Sequence, residues 1–389
     1  MGNCCKKKKN NISEDDAFKL IESLLDDKDD NPLGIKMTIK DFQRIKLLGK
    51  GSFGEVFLVK YEKTNKIYAM KILDKKKVIE SGQIEHTKIE RDLLVNVNCP
   101  FIVDIKFAFQ DKDNLYIITE FMQGGELFFH LHKEKRFTND KAKFYIMEII
   151  LAIEYLHNKN MVYRDLKPEN VLISDTGHVK LTDFGLSKIL TKSKQKAYTI
   201  CGTPQYLAPE VILSEDGYDS SVDWWSLGCV LYELLVGRAP YSICVGDSLN
   251  QDIYKKKILM PDYVCPDAKD LITKLLVINP KKRLGFGENG AKKIKQHPYF
   301  KNVNWTDVWN QKLNPPFIPN LKDETDLSYF DTLFTSETSS KSSGNSDLSD
   351  ISMQYNTFKG FTYVTESYGS ELMVMNKSND IDESNYHTQ

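Results

Sequence analysis

Tyr163-Arg164-Asp165-Leu166-Lys167-Pro168-Glu169-Asn170, followed thirteen residues after Asn170 by Asp183-Phe184-Gly185, is the stretch that decides the fold. A carboxylate at Asp165 can accept the proton of an incoming hydroxyl, and Lys167 can neutralise a phosphoryl group. Asn170 offers a neutral oxygen and Asp183 a hard carboxylate, a pair suited to Mg²⁺. An Asp-Phe-Gly tripeptide alone would be an ordinary turn. Its order after the first motif, and before Ala208-Pro209-Glu210, is what gives it chemical content.

Working upstream, Leu48 and Gly49-Lys50-Gly51-Ser52-Phe53-Gly54-Glu55-Val56 lie between two strand patterns. Glycines let a backbone close over phosphates where a Cβ would collide. A bare loop of this kind also suits a hairpin, or a dinucleotide turn if a helix follows; here a strand follows. Lys71 sits in the apolar run Tyr68-Ala69-Met70-Lys71, where an ammonium is costly unless paired or snorkelling to the surface. Its candidate partner is Glu90, on a predicted helix over residues 85–95. Such a carboxylate would fix the ammonium against the α- and β-phosphates of a nucleotide.

Composition frames these motifs. The chain has 389 residues, 41% of them hydrophobic, enough for a large core in more than one lobe. With 28% charged residues and a net charge of −1, no general affinity for nucleic acid is expected. Seven scattered cysteines do not resemble a disulfide framework. No apolar run reaches the roughly 18–20 residues of a membrane span, and no secretory segment follows the start. An intracellular protein is expected.

Strand patterns occupy residues 42–48, 56–59, 68–73 and 102–109, and helical patterns 139–158, 222–235 and 268–277. Two short strands are expected at 171–173 and 179–181. This order predicts an α+β, bilobal arrangement, a small β-rich lobe over 42–122 and a larger helical lobe over 123–300, with a cleft between them. A charged extension, 1–40, holds a short amphipathic helix at 17–25. A tail, 301–370, is Pro-rich and then Ser/Thr-rich, with ten Ser or Thr among residues 335–352, a disordered composition. Residues 371–389 are expected to be disordered too.

From residue 42 to 300 the chain resembles a eukaryotic protein kinase catalytic domain, and the AGC group in particular: protein kinases A, B and C, SGK and the ribosomal-protein kinases. Tyr163 in place of the usual His, the segment Thr199-Ile200-Cys201-Gly202-Thr203-Pro204-Gln205-Tyr206-Leu207-Ala208-Pro209-Glu210, and the tail after His297-Pro298-Tyr299-Phe300 carry the likeness. The resemblance implies Asp165 as catalytic base, Asn170 and Asp183 as Mg²⁺ ligands, and Lys71 as phosphate anchor held by Glu90. It implies hinge contacts to adenine from Glu120 and Met122, with Thr119 guarding the pocket behind, and Phe330 in the tail as a nucleotide contact. Glu210 with Arg283 would form the buried pair of the large lobe, and Asp223 its anchor. Glu126, Glu169 and Glu233 fall where the family holds arginines upstream of the phosphoacceptor, so basic protein substrates are expected. Lys167 with Thr203 is similar to the serine/threonine enzymes.

Regulation is implied as well. Thr199 occupies the activation-loop phosphosite, with Arg164, Lys188 and His86 as cations, and an upstream activating kinase as partner. Phe358-Lys359-Gly360-Phe361-Thr362-Tyr363 matches the hydrophobic motif; docked on the small lobe it would bury about 300–500 Å², and Thr362 is its phosphosite. Ser342, Ser343 and Ser346 lie near the turn-motif distance, though none precedes a proline. Gly2 is a candidate for myristate, and Cys4 and Cys5 for palmitate, beside Lys6-Lys7-Lys8-Lys9. Lys6 departs from the usual Ser or Thr at that place. A monomer at the cytoplasmic face of a membrane, the plasma membrane first, is expected. The alternative is a kinase-fold scaffold without strong catalysis, which would lack Lys71, Asp165 or Asp183; all three are present. A small-molecule kinase would not need Ala208-Pro209-Glu210 or the peptide-directed acids.

Overall fold

The computed structural model describes residues 36–51, 54–190, 196–241, 254, 258–335 and 357–365. The expected helix at 17–25, the lipidation candidates Gly2, Cys4 and Cys5, the turn-motif serines and residues 371–389 lie outside the described residues. In the first lobe the elements run β1 Phe42–Lys50, β2 Gly54–Tyr61, β3 Ile67–Asp74, α1 Lys75–Glu80, α2 Ile84–Asn96, β4 Ile105–Gln110 and β5 Asn114–Glu120. The second lobe holds β6 Gly125–Glu126, α3 Leu127–Glu134, α4 Asn139–Asn158, β7 Met161–Val162, β8 Val171–Ile173, β9 Val179–Leu181 and β10 Lys188–Ile189. It continues with α5 Pro209–Leu213, α6 Ser221–Val236, α7 Pro266–Leu275 and α8 Gly290–Lys295. The tail adds α9 Trp305–Trp309, α10 Thr332–Thr335 and β11 Tyr363–Val364. The fold is bilobal α+β, as the sequence predicts.

The small-lobe sheet is antiparallel with strand order β1-β2-β3-β5-β4-β11. Its pleat sends Val59, Tyr61, Met70 and Phe107 into an apolar cluster on the outer face, capped by Met37 and Val364. Val56 and Lys71, paired across β2 and β3, line the cleft on the other face. Gly54 is obligatory where β2 begins, because a Cβ there would stand 1.8 Å from the Ile72 carbonyl oxygen.

Two expectations change. The strand placed at 102–109 starts at Ile105; before it, Ile102 bridges Leu181 in parallel, and Val103 N–H donates to the Leu181 carbonyl oxygen at 3.0 Å. The backbone there satisfies itself against the large lobe instead of the sheet, which ties the two lobes together. The helix placed at 268–277 runs Pro266–Leu275, opened by a proline at its first turn.

In the large lobe, α6 is apolar all round and buried along its length from Ser221 to Leu235, as a central helix should be. Gly237, with φ +86°, closes it in the left-handed region. Arg283 grips Glu210 with two bonds, 2.6 and 2.8 Å, and donates to the Ser221 carbonyl oxygen at 2.9 Å. A buried pair of this kind costs about 3–5 kcal/mol to break by removing one partner. It fixes the segment leading from the catalytic loop. Among the described residues no helix is long and apolar enough to cross a membrane.

Candidate active site

Between the lobes lies a cleft of about 560 Å³. Leu48, Gly49, Lys50, Gly51, Gly54 and Val56 line its roof, and Thr119, Glu120 and Met122 its back edge. Ser52 and Phe53, at the tip of the glycine-rich loop, lie outside the described residues. Glu55 does not line the cleft: it is paired with Lys50 and Ile72, and strand alternation turns it to the face opposite Val56. At the back edge the Glu120 carboxylate accepts from Asp104 N–H at 2.7 Å and from Lys180 at 2.6 Å. Both bonds fall on Oε1, and the Glu120 N–H donates to the Asp104 carbonyl oxygen at 3.0 Å. Gly125 N–H donates to the Met122 carbonyl oxygen at 3.1 Å, while the Met122 N–H has no backbone acceptor among the described residues. Phe330 reaches the cleft from the tail, stacked on Phe121 at 5.4 Å.

One wall carries an ion chain. Lys71 Nζ stands 2.6 Å from Glu90 and 3.3 Å from Asp183. Burial alone would push the Lys71 ammonium down, but the Asp183 and Glu90 carboxylates overturn this and hold it above the ordinary lysine value. The Lys71 charge in turn holds Asp183 below the usual carboxylate range. Glu90, on α2, is pushed up by burial, with Lys71 opposing. The chain therefore keeps its cation, and Asp183 its charge, with the Asp183 side chain half open to the cleft.

Across the floor, Asp165 is 8% exposed and fully engaged. Oδ1 accepts from the Thr203 hydroxyl at 2.9 Å and its N–H at 3.2 Å; Oδ2 accepts from Asn170 Nδ2 at 2.8 Å and pairs with Lys167 at 2.9 Å. Lys167 also donates to the Thr203 hydroxyl at 2.9 Å. Asp223, on α6 and wholly buried, accepts from the backbone N–H of Tyr163 at 2.9 Å and of Arg164 at 2.8 Å. Arg164 and Asp183 both adopt left-handed φ, +71° and +56°, conformations that persist only when surroundings enforce them. Asp223 supplies that enforcement for the loop bearing Asp165.

Glu126 and Glu169 line the outer cleft; Glu233, on α6, does not, and its Oε2 accepts from the Tyr206 hydroxyl at 2.6 Å. Glu169 Oε2 is buried without a partner among the described residues. Burial pushes Glu126 up to about 7, with Glu169 adding repulsion, and Glu233 up to about 7 by burial, again with Glu169 adding to it. Glu169 thus couples electrostatically to both Glu126 and Glu233.

Thr199 is exposed, and Tyr218 donates to its carbonyl oxygen at 2.6 Å. Arg164 Nη2 is buried without a partner among the described residues, and Arg164 and Lys188 both depress the His86 imidazole, after burial itself. On the small lobe Phe358 and Phe361 are buried, at 0% and 1% exposure, with Thr362 half-buried beside them. Gln110 donates to the Phe358 carbonyl oxygen at 2.7 Å, Lys75 lies over the Phe358 ring, and Arg91, on α2, donates to Gly360. Sequence reasoning missed Tyr218, Lys75, Gln110 and Arg91, none of which belongs to a short motif.

Residues 42–300 match the protein kinase domain family, and residues 321–363 the protein kinase C terminal domain. A RAC family serine/threonine-protein kinase homolog of Dictyostelium discoideum is 44% identical over 335 residues, covering 85% of this chain and 74% of its own. The serine/threonine-protein kinase SCH9 of Candida albicans is 45% identical over 334 residues, 84% of this chain and 42% of that protein. RAC-beta serine/threonine-protein kinase A of Xenopus laevis is 46% identical over 302 residues, 78% of this chain and 62% of that protein. The chain thus spans less than two thirds of the latter two.

Proposed function

The chain belongs to the serine/threonine protein kinases of the AGC type, and on that premise we propose that its cleft binds Mg·ATP and passes the terminal phosphoryl group to serine or threonine in arginine-containing proteins. The observation that carries this reading is the facing of two charged devices across one cleft: the Lys71–Glu90–Asp183 chain and the fully hydrogen-bonded Asp165.

The metal fits the residues present. Asn170 spends amide hydrogens on Asp165, which leaves its carbonyl oxygen as a donor, and the Asp183 carboxylate is half open. Two hard oxygens suit Mg²⁺, which takes few protein ligands beside phosphate and water. When bound, the ion neutralises phosphate charge. Lys71 holds the α- and β-phosphates, and Glu90 holds Lys71. Leu48, Val56 and Met122 enclose the base, the Met122 N–H faces it, and Phe330 closes the opening. Asp165 orients the acceptor hydroxyl and takes its proton, and Lys167 meets the charge on the transferred group. Thr203 keeps both in place.

Glu126, Glu169 and Glu233 receive arginine upstream of the acceptor. The sign of the pH dependence follows from the two raised carboxyls near 7. Below that pH they are protonated and neutral; a guanidinium must displace the protons, so binding tightens as pH rises. The KM of an arginine-bearing peptide is expected to fall by about tenfold between roughly pH 6 and pH 8, while an alanine analogue stays flat. Steady-state kinetics on the two peptides checks this, and parallel profiles would remove the three acids from substrate recognition.

Phosphorylation of Thr199 and Thr362 by upstream kinases switches the enzyme on. Myristate on Gly2, with palmitate on Cys4 or Cys5, holds it at the cytoplasmic face of a membrane, the plasma membrane first. One acyl chain binds only marginally, and each lysine of Lys6–Lys9 adds about 1 kcal/mol at an anionic leaflet. Gly2→Ala is expected to move the protein from the membrane to the soluble fraction of a cell lysate; unchanged sedimentation with membranes would exclude Gly2 as the anchor.

A further inference from the structure

One hydroxyl bridges Thr199 and the catalytic loop, and no sequence motif marks it. Tyr218, 3% exposed, donates to the Thr199 carbonyl oxygen at 2.6 Å and accepts from Arg164 Nη1 at 3.0 Å. Burial raises the phenol to about 12, so it keeps the proton it donates. The backbone repeats the link, because Ala197 and Tyr218 exchange two N–H···O=C bonds, each 2.8 Å. Gly217, at φ +73°, lies so close that a Cβ would meet the Ala197 carbonyl oxygen at 2.7 Å and the Tyr198 ring at 2.8 Å.

Arg164 is held from the other side. Its Nε donates to the Leu186 carbonyl oxygen at 2.5 Å and its backbone N–H to Asp223 at 2.8 Å. Nη2 remains buried without a partner among the described residues. An unsatisfied guanidinium nitrogen is expensive unless an anion is meant for it. Nε and Nη1 are both engaged, so the direction of Nη2 is set before any anion arrives.

We propose that Tyr218 is a positioning residue that fixes the register of Thr199 against Arg164, so that a phosphate placed on Thr199 meets a guanidinium already aimed at it. The inference rests on the reading of Thr199 as a phosphorylation site. Without the hydroxyl, the Thr199 carbonyl and Arg164 Nη1 each lose a bond, and the phosphate must order both as it binds.

The test uses the full chain, wild type and Tyr218→Phe, each with Thr199 phosphorylated and after phosphatase treatment. Phosphorus NMR follows the second ionisation of the phosphothreonine, assigned by its loss in Thr199→Ala. A merely structural tyrosine would not move this value. It is expected to lie below that of an exposed phosphothreonine in wild type and to return toward it in Tyr218→Phe. The gain in kcat on phosphorylation is expected to shrink by about five- to tenfold, with the dephosphorylated activity unchanged. Equal ionisation and equal gain in both proteins overturn the proposal. Should Tyr218→Phe not fold, Gly217→Ala displaces the same register with the hydroxyl retained, and the same rise in the phosphate pKa is expected; an unmoved value overturns the proposal. A wild type that phosphorylates no peptide would sink the kinase reading, and the NMR titration would still decide the role of Tyr218.

Discussion

Asp165→Asn is expected to lower kcat by about 10²- to 10⁴-fold, the range that a positioned proton acceptor supplies. The amide cannot take a proton from the acceptor hydroxyl. It also cannot satisfy its neighbours. Thr203 approaches one oxygen with a hydroxyl and an N–H, and Asn170 and Lys167 approach the other. Replacing either oxygen by an NH₂ group sets donor against donor. Nucleotide affinity should change little, because Lys71, Glu90 and Asp183 form their own chain. Equilibrium nucleotide binding and peptide turnover, measured on one preparation, separate the two effects. Equal turnover by the variant would remove Asp165 from its assigned role.

On the proposed reading of Thr199 as a phosphorylation site, loss of its phosphate should carry the next largest effect, about 10- to 100-fold in kcat, as expected for two or so charge-assisted hydrogen bonds that order a segment. Around the site, Arg164 has a buried nitrogen without a partner, and His86 is depressed by burial and by the nearby Arg164 and Lys188. Cations gathered without an anion repel, and a dianion reverses that sign. Arg164 adjoins Asp165 in the chain, and His86 shares α2 with Glu90, so a phosphate on Thr199 would bear on both walls of the cleft. Removing the phosphate proposed for Thr362 should cost less, because Phe358 and Phe361 are already buried and β11 already joins the sheet. Phosphatase treatment followed by Thr199→Ala and Thr362→Ala kinetics orders the two. A larger loss from Thr362→Ala would contradict this ranking.

What the sequence made legible is what chemistry confines to short spacing. Asp165, Lys167 and Asn170 share one turn, Asp183 follows the next strand pair, and the apolar periods placed α4, β8 and β9 at their observed bounds. Lys71 and Glu90 were readable across nineteen residues only because a lysine inside an apolar strand demands a partner. Other features depend on contacts between distant segments. The Ile102–Leu181 bridge, the pairing of Tyr363 with Ala108 and the Tyr218 hydroxyl leave no periodicity behind. Glu55 is a different case. Its alternation with Val56 was there to read, and the glycine-rich motif drew it into the site with its neighbours.

Rapid quench of a single turnover tests the central claim most directly. Purified, Thr199-phosphorylated protein is mixed with γ-labelled ATP, Mg²⁺ and an arginine-bearing serine peptide. The account predicts one phosphopeptide formed for each ADP, with the label on the serine hydroxyl. Label released as inorganic phosphate, or nucleotide bound without transfer to any such peptide, would contradict it.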